Sequence, residues 1–201
     1  MSTESIFRLV GGVLAYATLT VVFYGIWRGT RLPPGRTSGK ASGWLRSPIF
    51  YFLASVSFLC ISIYFWKPLP LTLSSGTHLS LLITGIILFF PGMALVLWAR
   101  LVLGKMYFVS TSFGAQLYAD HRLITHGPFA YVRHPMYLGL VIAALGSLLL
   151  YLTWTTLAYA IFAPLVLLRA RREELALSME FGEDWQVYCR RVPAFWPKFR
   201  R

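Results

Sequence analysis

A run of 34 residues without a charged side chain, from 135 to 168, most constrains how this chain can fold. As a single α-helix the run would be about 50 Å long, whereas the hydrocarbon core of a bilayer is about 30 Å thick. The centre of the run, residues 151–156, carries the Tyr, Trp and Thr side chains that are typical of a membrane interface. We therefore predict two short helices, 136–150 and 154–169, joined as a hairpin.

Three segments nearer the N-terminus, 9–27, 47–66 and 79–99, are also apolar, free of charged residues and about 20 residues long. Each is long enough to cross a bilayer as a helix. The first segment is longer than the apolar core of a signal peptide and has no typical cleavage site, so we expect it to be retained. The predicted fold is an all-α integral membrane protein with five transmembrane helices, the last two of which form the short hairpin.

The net charge of +12 is unevenly distributed along the chain. Arginine and lysine are concentrated in residues 28–46 and in the tail from residue 169 onward, whereas the loop 67–78 has a single lysine. Because basic residues accumulate on the cytoplasmic side, we expect the N-terminus outside and both segment 104–134 and the C-terminus in the cytoplasm. This pattern favours membrane lipids over nucleic acid as partners. The first basic loop is rich in Gly and Pro, which predicts an irregular connection.

The chain is treated as a single membrane domain, in which residues 1–78 hold the first two spans and residues 79–201 the functional core. Cys60 and Cys189 are far apart in segments of different character, so we expect neither a disulfide nor a zinc site. The histidines of segment 104–134 have no set of neighbouring ligands at metal-binding spacing, so no metal is predicted. The oligomeric state stays open.

Polar and aromatic residues stand at both ends of the uncharged run. Arg133 and His134 come directly before it and Tyr137 follows one turn inside, while Glu173 and Glu174 come shortly after the run ends. Each of these residues alone would be an interfacial anchor or a solvated charge. If the run is a hairpin, its two ends meet at one membrane face and the residues form one site. A single crossing would place them on opposite faces.

The flanking segments have local patterns of their own. Pro135 suits the first turn of a helix, where its missing N–H costs nothing. Residues 171–188 are predicted to form a cytoplasmic amphipathic helix, with Leu175 and Met179 on its apolar side.

The second half of the chain, roughly residues 100–201, resembles the isoprenylcysteine carboxyl methyltransferase family and its prokaryotic relatives. The residues that carry the resemblance are Gly127-Pro128-Phe129, Tyr131, Arg133-His134-Pro135-x-Tyr137, Glu173-Glu174, Phe181-Gly182-x-x-x-x-x-Tyr188 and Phe195-x-Pro197. The resemblance implies methyl transfer from S-adenosylmethionine in a pocket at the cytoplasmic face. The Gly-rich phosphate loop of soluble dinucleotide-binding folds is not found in the sequence.

The resemblance also implies site residues. The segment before Arg133 and the Glu173-Glu174 pair would hold the cofactor, with either carboxylate on the ribose hydroxyls or the ammonium group. The expected cofactor-binding residues are His121, Leu123, Ile124, His126, Gly127, Tyr131, His134, Pro135, Tyr137, Glu173 and Glu174. Arg133 and Glu173 are the expected catalytic residues.

The chemistry of methyl transfer agrees with these residue types. An acceptor carboxylate is ionised at neutral pH and needs a cation to orient it, for which Arg133 is the candidate. Aromatic faces such as that of Tyr137 can stabilise a sulfonium. The predicted acceptor is a lipophilic carboxylate that enters from the bilayer, such as an isoprenylcysteine.

Three different functions remain compatible with the sequence. A methyltransferase that acts on a lipid amine would need a base, for which His121, His126 or a glutamate would serve. An NADPH-dependent sterol-type reductase would share the membrane setting but bind a different cofactor. A non-catalytic membrane scaffold would keep the fold without the reaction.

Overall fold

The computed structural model describes residues 2–29, 31, 34–38, 47–107, 109–111, 114–118 and 120–196. The basic tail beyond residue 196 and most of the first loop lie outside these residues. In chain order the helices and strands are α1 (Thr3–Gly29), β1 (Pro34–Ser38), α2 (Pro48–Tyr64), α3 (Ser75–Leu103), β2 (Val109–Thr111), β3 (Gly114–Tyr118), α4 (Pro135–Tyr151), α5 (Trp154–Phe162) and α6 (Val166–Arg191). Short 3-10 turns occupy Gly104–Met106, Gly127–Ala130 and Ala163–Leu165. The fold is predominantly helical, as predicted.

Helices α3 and α4 pack more extensively than any other pair in the described chain. Glycines bring their backbones together: a Cβ atom at Gly146 would lie 2.3 Å from the Phe89 nitrogen, and one at Gly92 would lie 2.6 Å from the Ala143 nitrogen. Small residues at such contacts allow close helix association in a bilayer, where lipid competes for apolar surface. The core between the helices contains Phe89, Met93, Ala143 and Leu150.

Replacement of Gly146 by alanine is expected to destabilise the protein, because the new methyl group would meet backbone atoms of Phe89 that cannot rotate away. Overpacking of this kind costs about 1–3 kcal/mol. The matched control is Gly76→Ala, in the first turn of α3, where an added Cβ has no heavy atom within 4 Å. Thermal unfolding in detergent measures the difference; equal melting temperatures for the two variants would contradict the close α3–α4 contact.

The predicted hairpin is present, with its tip between α4 and α5. Helix α4 begins at Pro135, as predicted, and ends at Tyr151. Leu152 then reverses the chain in the left-handed region (φ 52°, ψ 48°), and Thr153 caps α5 through a reciprocal pair of hydrogen bonds with Thr156. The tip therefore lies within the interface-type segment that the sequence indicated.

The second arm of the hairpin is shorter than predicted. Instead of one helix over 154–169, α5 ends at Phe162, and a 3-10 turn that contains Pro164 leads into α6 at Val166. Proline lacks the N–H that a continuing helix needs and clashes with the preceding turn. With nine residues α5 is about 14 Å long, too short to cross a bilayer by itself. A fifth crossing would have to include the start of α6.

Two ends of the helical bundle can be distinguished, which we call the tip end and the site end. At the tip end the α2–α3 connection pairs with the hairpin tip: the Leu69 N–H donates to the Leu152 carbonyl at 2.8 Å, and the Trp154 N–H to the Lys67 carbonyl at 3.0 Å. The first turns of α1 also reach this end, because Arg8 Nε donates to the Leu150 carbonyl at 3.0 Å. The N-terminus, the loop 67–78 and the tip therefore share one end of the bundle.

A small antiparallel sheet at the site end was not predicted. Its strand order is β1-β3-β2, so that β1, from the first loop, pairs with β3, from the segment between α3 and α4. This corrects both the purely α-helical prediction and the irregular first loop, as far as the described residues 34–38 are concerned. Prolines suggest a loop, but Pro34 is the first residue of an edge strand, where its missing N–H is tolerated.

Length and apolar composition qualify two described helices as membrane spans, Thr3–Gly29 and Ser75–Met106. Two further apolar helices, Ile49–Tyr64 and Pro135–Tyr151, are shorter. The outer faces of these helices carry large exposed apolar side chains, among them Val13 in α1 and Phe52 in α2. This surface is typical of a membrane protein, while the number of crossings stays a prediction.

The predicted amphipathic helix lies within α6, which starts five residues before the predicted boundary. Leu175 and Met179 are exposed on it, whereas Ala176 is buried against Leu117 of β3. The helical backbone is interrupted at Gly182, whose φ of 52° favours glycine. Helix α6 thus joins the hairpin to the sheet.

Candidate functional site

The two ends of the hairpin meet at the site end of the bundle. Arg133 and His134 immediately precede α4, and Glu173 and Glu174 lie in the third turn of α6. The Arg133 Nη2 and Glu174 Oε1 atoms are 2.7 Å apart, and the Tyr137 hydroxyl donates a hydrogen bond to Glu173 Oε1. The hairpin prediction required this meeting, and the structure confirms it.

Glu174 is the centre of an ionic cluster. Its Oε1 atom accepts hydrogen bonds from Arg133 Nε at 2.9 Å and Nη2 at 2.7 Å. His134 Nε2 lies 3.0 Å from the same oxygen, and because a carboxylate only accepts, this nitrogen carries the proton. Burial acts to raise the pKa of Glu174, but the hydrogen bonds from His134 and Arg133 outweigh it and hold the pKa below its ordinary value of 4.5.

This shift makes a prediction for the pH dependence of stability. A carboxyl whose pKa is lower in the folded state stabilises the fold above its unfolded pKa, near 4.5, and the contribution is lost as the pH falls through the folded pKa. Melting temperatures of the wild type and of Glu174→Gln should therefore differ most at pH 6–7, about two units above the unfolded pKa. Their difference should narrow as the pH falls below about 4.5 and through the lower folded-state pKa of Glu174. A difference that is constant with pH would show that the ionised form of Glu174 is not the stabilising one.

The C-terminal segment after α6, residues 192–196, is hydrogen-bonded to the start of α4. The Arg133 N–H donates to the Pro193 carbonyl at 2.9 Å, and the His134 N–H donates to the Ala194 carbonyl at 3.0 Å. Arg133 Nη1 donates to two further carbonyls, those of Cys189 at 3.3 Å and Val192 at 2.9 Å. Within the described chain, four of the five N–H groups of the Arg133 guanidinium are therefore engaged in holding the site together. Its predicted catalytic role stays a prediction, but the contacts describe a positioning residue.

Aromatic rings enclose the buried His134 side chain. Its ring stacks with Tyr137, at 5.8 Å between centroids, and with Phe195 of the C-terminal segment, at 5.2 Å. In the same cluster, the Arg133 guanidinium lies 5.8 Å from the centre of the Trp185 ring. These stacked rings leave little rotational freedom to the histidine.

An open cavity lies beside this cluster. Eight of the predicted site residues line it: His121, Leu123, Ile124, Arg133, His134, Pro135, Tyr137 and Glu173. Glu174 stands behind the wall, paired with Arg133. The structure does not place His126, Gly127 or Tyr131 on the wall, and the Tyr131 side chain, just after the 3-10 turn Gly127–Ala130, is 66% exposed.

Seven lining residues were not among the predicted site residues, although two of them, Phe129 and Tyr188, stand in the motifs that carry the family resemblance. They are Leu103, Arg122, Phe129, Met136, Leu177, Trp185 and Tyr188. Positions 177, 181, 185 and 188 of α6 follow helical spacing, which would have indicated one shared face. The Tyr188 hydroxyl donates to the Phe129 carbonyl at 2.7 Å, and burial raises its pKa, so it remains a donor.

His121 enters the cavity as a neutral imidazole. Burial lowers its pKa to about 4, and its ring lies 6.1 Å from that of Phe181. At neutral pH such a histidine is unprotonated, but it is a weak base, since proton affinity falls with pKa. It would remove a proton from a lipid ammonium inefficiently.

Comparison with known proteins identifies the family. The sequence model of the phospholipid methyltransferase family matches residues 80–184, just over half of the chain. The chain belongs to the phospholipid methyltransferase family. The matched region of this family member runs from the first turns of α3 to Asp184 of α6, so it contains the ionic cluster, the hairpin and all of the cavity wall except Trp185 and Tyr188. It leaves out α1, α2 and the C-terminal segment.

A relative in this methyltransferase family has a more specific name. The chain is 38% identical over 81 residues to a protein of Schizosaccharomyces pombe named protein-S-isoprenylcysteine O-methyltransferase. The alignment covers 37% of this chain and 33% of that relative. The likeness supports a methyltransferase of the isoprenylcysteine and phospholipid type.

Metal ligands are not gathered in the part of the chain that the structure describes. Among those residues, no three His, Cys, Asp or Glu side chains are grouped so that they could hold an ion. Cys60 and Cys189 are both unpaired.

Proposed function

We propose that this family member transfers a methyl group from S-adenosylmethionine to the carboxylate of a lipophilic acceptor, such as an isoprenylcysteine. The observation that carries the proposal is the convergence of Arg133, His134 and Tyr137 with Glu173 and Glu174 beside one cavity. The name of the fission yeast relative supports the acceptor class.

The residues around the cavity fit the methyl donor. S-adenosylmethionine supplies a methyl group on a positively charged sulfur, together with hydroxyl, ammonium and adenine groups that need binding. Glu173 is a carboxylate on the wall that can accept hydrogen bonds from hydroxyls or an ammonium group. The backbone of residues 121–124 has neither helix nor strand structure; the Arg122 N–H donates to Met106 Sδ at 3.3 Å, and the amide groups of Leu123 and Ile124 can serve the adenine. The rings of Tyr137 and Trp185 provide aromatic faces for a cation.

The protein's own groups would mainly position the reactants. Tyr137 holds the Glu173 carboxylate through its hydroxyl, and Arg133 and His134 fix Glu174 and the C-terminal segment behind it. Orientation of two reactants can contribute several kcal/mol to a rate enhancement. An ionised carboxylate acceptor needs no proton removed, which matches a site whose histidine is a weak base.

A lipid-amine acceptor is the alternative within the family. It would require a base close to the amine, and His121, with a pKa of about 4, is poorly suited to that role. The geometry therefore favours O-methylation. Two observations would distinguish the other functions from a methyltransferase. A sterol-type reductase would bind NADP. A non-catalytic scaffold would keep its cellular function after cofactor binding is lost.

Membranes that contain the protein, incubated with isotopically labelled methyl donor, test the proposal. We expect label in a lipophilic fraction that mild base releases, because methyl esters hydrolyse and methylamines do not. Base-stable label in phospholipid would support the amine alternative. Thermal stabilisation by S-adenosylhomocysteine, compared with NADP, tests the cofactor separately: stabilisation by NADP alone would overturn the proposal.

We also propose that the site end of the bundle faces the cytoplasm and the tip end faces outward. The basic residues Arg28 and Arg31, at the end of α1, support this orientation. A cysteine introduced at Gly76, in an otherwise cysteine-free chain, should react with a membrane-impermeant thiol reagent in intact cells. Labelling only after lysis would reverse the assignment.

A further inference from the structure

One face of α6 points away from the rest of the protein and carries large apolar side chains. Leu168, Leu175 and Met179 lie on this face with 57%, 54% and 58% of their surface exposed. Spacings of seven and four residues place the three side chains in one line along a helix. We call this line the outer stripe. A line of exposed apolar side chains indicates contact with another apolar body.

Two arginines flank the outer stripe. Arg171 and Arg172 are exposed, and helical geometry places them on opposite sides of Leu168, about 60° and about 40° around the helix axis. Within the part of the chain that the structure describes, no ion pair is found for either arginine. The outer stripe is therefore an apolar line with positive charge on both sides.

The acidic residues of the same turns lie on the opposite side of α6. Glu173 lines the cavity, and Glu174 is paired with Arg133. Ala170, on the same inner side, is only 2% exposed. Charge is thus segregated across the helix: the inner side contacts the protein with its carboxylates, while the outer side offers apolar surface and positive charge. A partner of the outer side has to be apolar and negatively charged.

The outer stripe stands at the level where the apolar helices end. Arg133 immediately precedes α4, and its ion pair with Glu174 places this turn of α6 beside the start of α4. The chain that leads into α6 carries exposed apolar side chains, among them Phe162 and Leu165. Around a membrane protein, this is the level at which acyl chains meet the headgroups of the lipids.

We propose that the outer face of α6 lies on the bilayer surface and binds anionic phospholipids. The outer stripe contacts the acyl chains, and Arg171 and Arg172 bind the headgroup phosphates, which the planar guanidinium fits with paired hydrogen bonds. A helix with an apolar face and flanking basic residues lies in the plane of the interface. The contact holds in place the helix whose inner side carries Glu173 and Glu174. It goes beyond the proposed function and does not depend on the identity of the methyl acceptor.

A second copy of the chain fits the outer face less well than lipid does. In a two-fold symmetric dimer the same residues of both copies meet. Arg171 and Arg172 would then face their own equivalents, and like charges across an interface oppose association. Anionic lipids supply the opposite charge, and they are concentrated in the cytoplasmic leaflet, which the site end is proposed to face.

The experiment measures which lipid surrounds the outer stripe in the full chain. An environment-sensitive fluorophore is attached through Leu175→Cys, in a chain that also carries Cys60→Ser and Cys189→Ser, and the protein is reconstituted into phosphatidylcholine bilayers. Phosphatidylglycerol or phosphatidylcholine with a nitroxide on an acyl chain is then titrated in as quencher. The ratio of the two association constants reports the preference for an anionic headgroup.

The test variant is the double substitution Arg171→Gln and Arg172→Gln. The matched control is Arg190→Gln with Arg191→Gln, which removes the same charge from exposed positions in the last turn of the same helix. The single substitution Arg172→Gln is a milder version of the test. Thermal unfolding in detergent reports separately on the fold of each variant.

In the unsubstituted background we expect both lipids to quench the label, because it lies among acyl chains. Phosphatidylglycerol should associate about 10-fold to 30-fold more tightly, the factor expected for two arginines near an anionic surface. The double variant should bring this ratio close to one, while phosphatidylcholine still quenches. Arg172→Gln should reduce the ratio partly, and the control should keep it. Added salt should lower the ratio, since the arginines lie at the exposed surface.

Several results would overturn the proposal. Absence of quenching by either lipid would show that the outer stripe is not on the bilayer, and disulfide cross-linking between chains through position 175 would then identify a second copy as its partner. Equal association of the two lipids, an unchanged ratio in the double variant, or an equal decrease in the control would show that Arg171 and Arg172 do not bind the headgroups. The methyl-transfer assay tests the proposed function independently of all these outcomes.

Discussion

The Arg133→Ala variant is expected to be destabilised by about 1–3 kcal/mol, the cost of leaving a partly buried acceptor, here the Glu174 carboxylate, without its donor. The Arg133 side chain is only 13% exposed and joins three elements: the start of α4, Glu174 in α6 and the C-terminal segment. Its removal would leave the Glu174 carboxylate without its guanidinium and two carbonyls without a donor. Thermal unfolding in detergent should show a large decrease in melting temperature, together with weaker binding of S-adenosylhomocysteine.

Two further variants sharpen this test. Arg172→Ala removes a similar side chain from an exposed position on α6 and should leave the melting temperature near that of the wild type. Arg133→Lys keeps the charge but cannot reproduce the fork of donors, so it should restore stability only in part. If Arg133→Ala instead kept wild-type stability and cofactor binding but lost turnover, Arg133 would act on the substrate, as the sequence alone suggested.

Glu173→Gln is expected to weaken the binding of S-adenosylhomocysteine by about 10-fold to 100-fold, with little effect on the fold. A charge-assisted hydrogen bond contributes about 1.5–3 kcal/mol, and each 1.4 kcal/mol corresponds to a factor of ten in affinity. The glutamine oxygen can still accept the hydrogen bond from Tyr137, so the local structure should be retained. Calorimetric titration and thermal unfolding of the same preparation measure the two effects.

The matched control for this variant is Glu183→Gln, which removes a carboxylate from an exposed position on the same helix. Its affinity should equal that of the wild type. A double-mutant cycle with Tyr137→Phe then measures the coupling between the phenol and the carboxylate. Normal affinity of Glu173→Gln would exclude this residue from the cofactor site and leave Glu174 as the remaining carboxylate.

The parts of the site that could be predicted depend on properties of short sequence segments, such as the length of an apolar run or the position of a proline. The length of the uncharged run required a turn within it, and the interface residues around Trp154 indicated where the turn lies. Pro135 marked the start of α4 because proline is accepted in the first turn of a helix. A hairpin returns the chain to the end of the bundle from which it started. Arg133 and Glu174, on either side of the hairpin, therefore lie at the same end, where their side chains are 2.7 Å apart.

Other features depend on partners that are distant in the sequence. Strand β1 exists because residues between α3 and α4 supply its hydrogen bonds, and nothing within residues 34–38 indicates them. The carbonyls of Pro193 and Ala194 accept hydrogen bonds from the backbone at the start of α4. Backbone contacts of this kind do not depend on residue type, so the sequence does not indicate them. Tyr131 directly follows the 3-10 turn Gly127–Ala130 and its side chain is exposed, which the residue pattern around it did not indicate.

By itself the sequence determined the helical membrane-type fold and the hairpin, because hydrophobic length and proline positions act locally, and the family resemblance implied eight of the fifteen residues on the cavity wall. Only the tertiary structure decided which groups each polar side chain contacts. Arg133 was expected to orient a substrate, a role that stays a prediction, and the structure shows that its guanidinium holds Glu174 and the C-terminal segment. The energy of a charge depends on the groups that surround it in space, and those are set by packing.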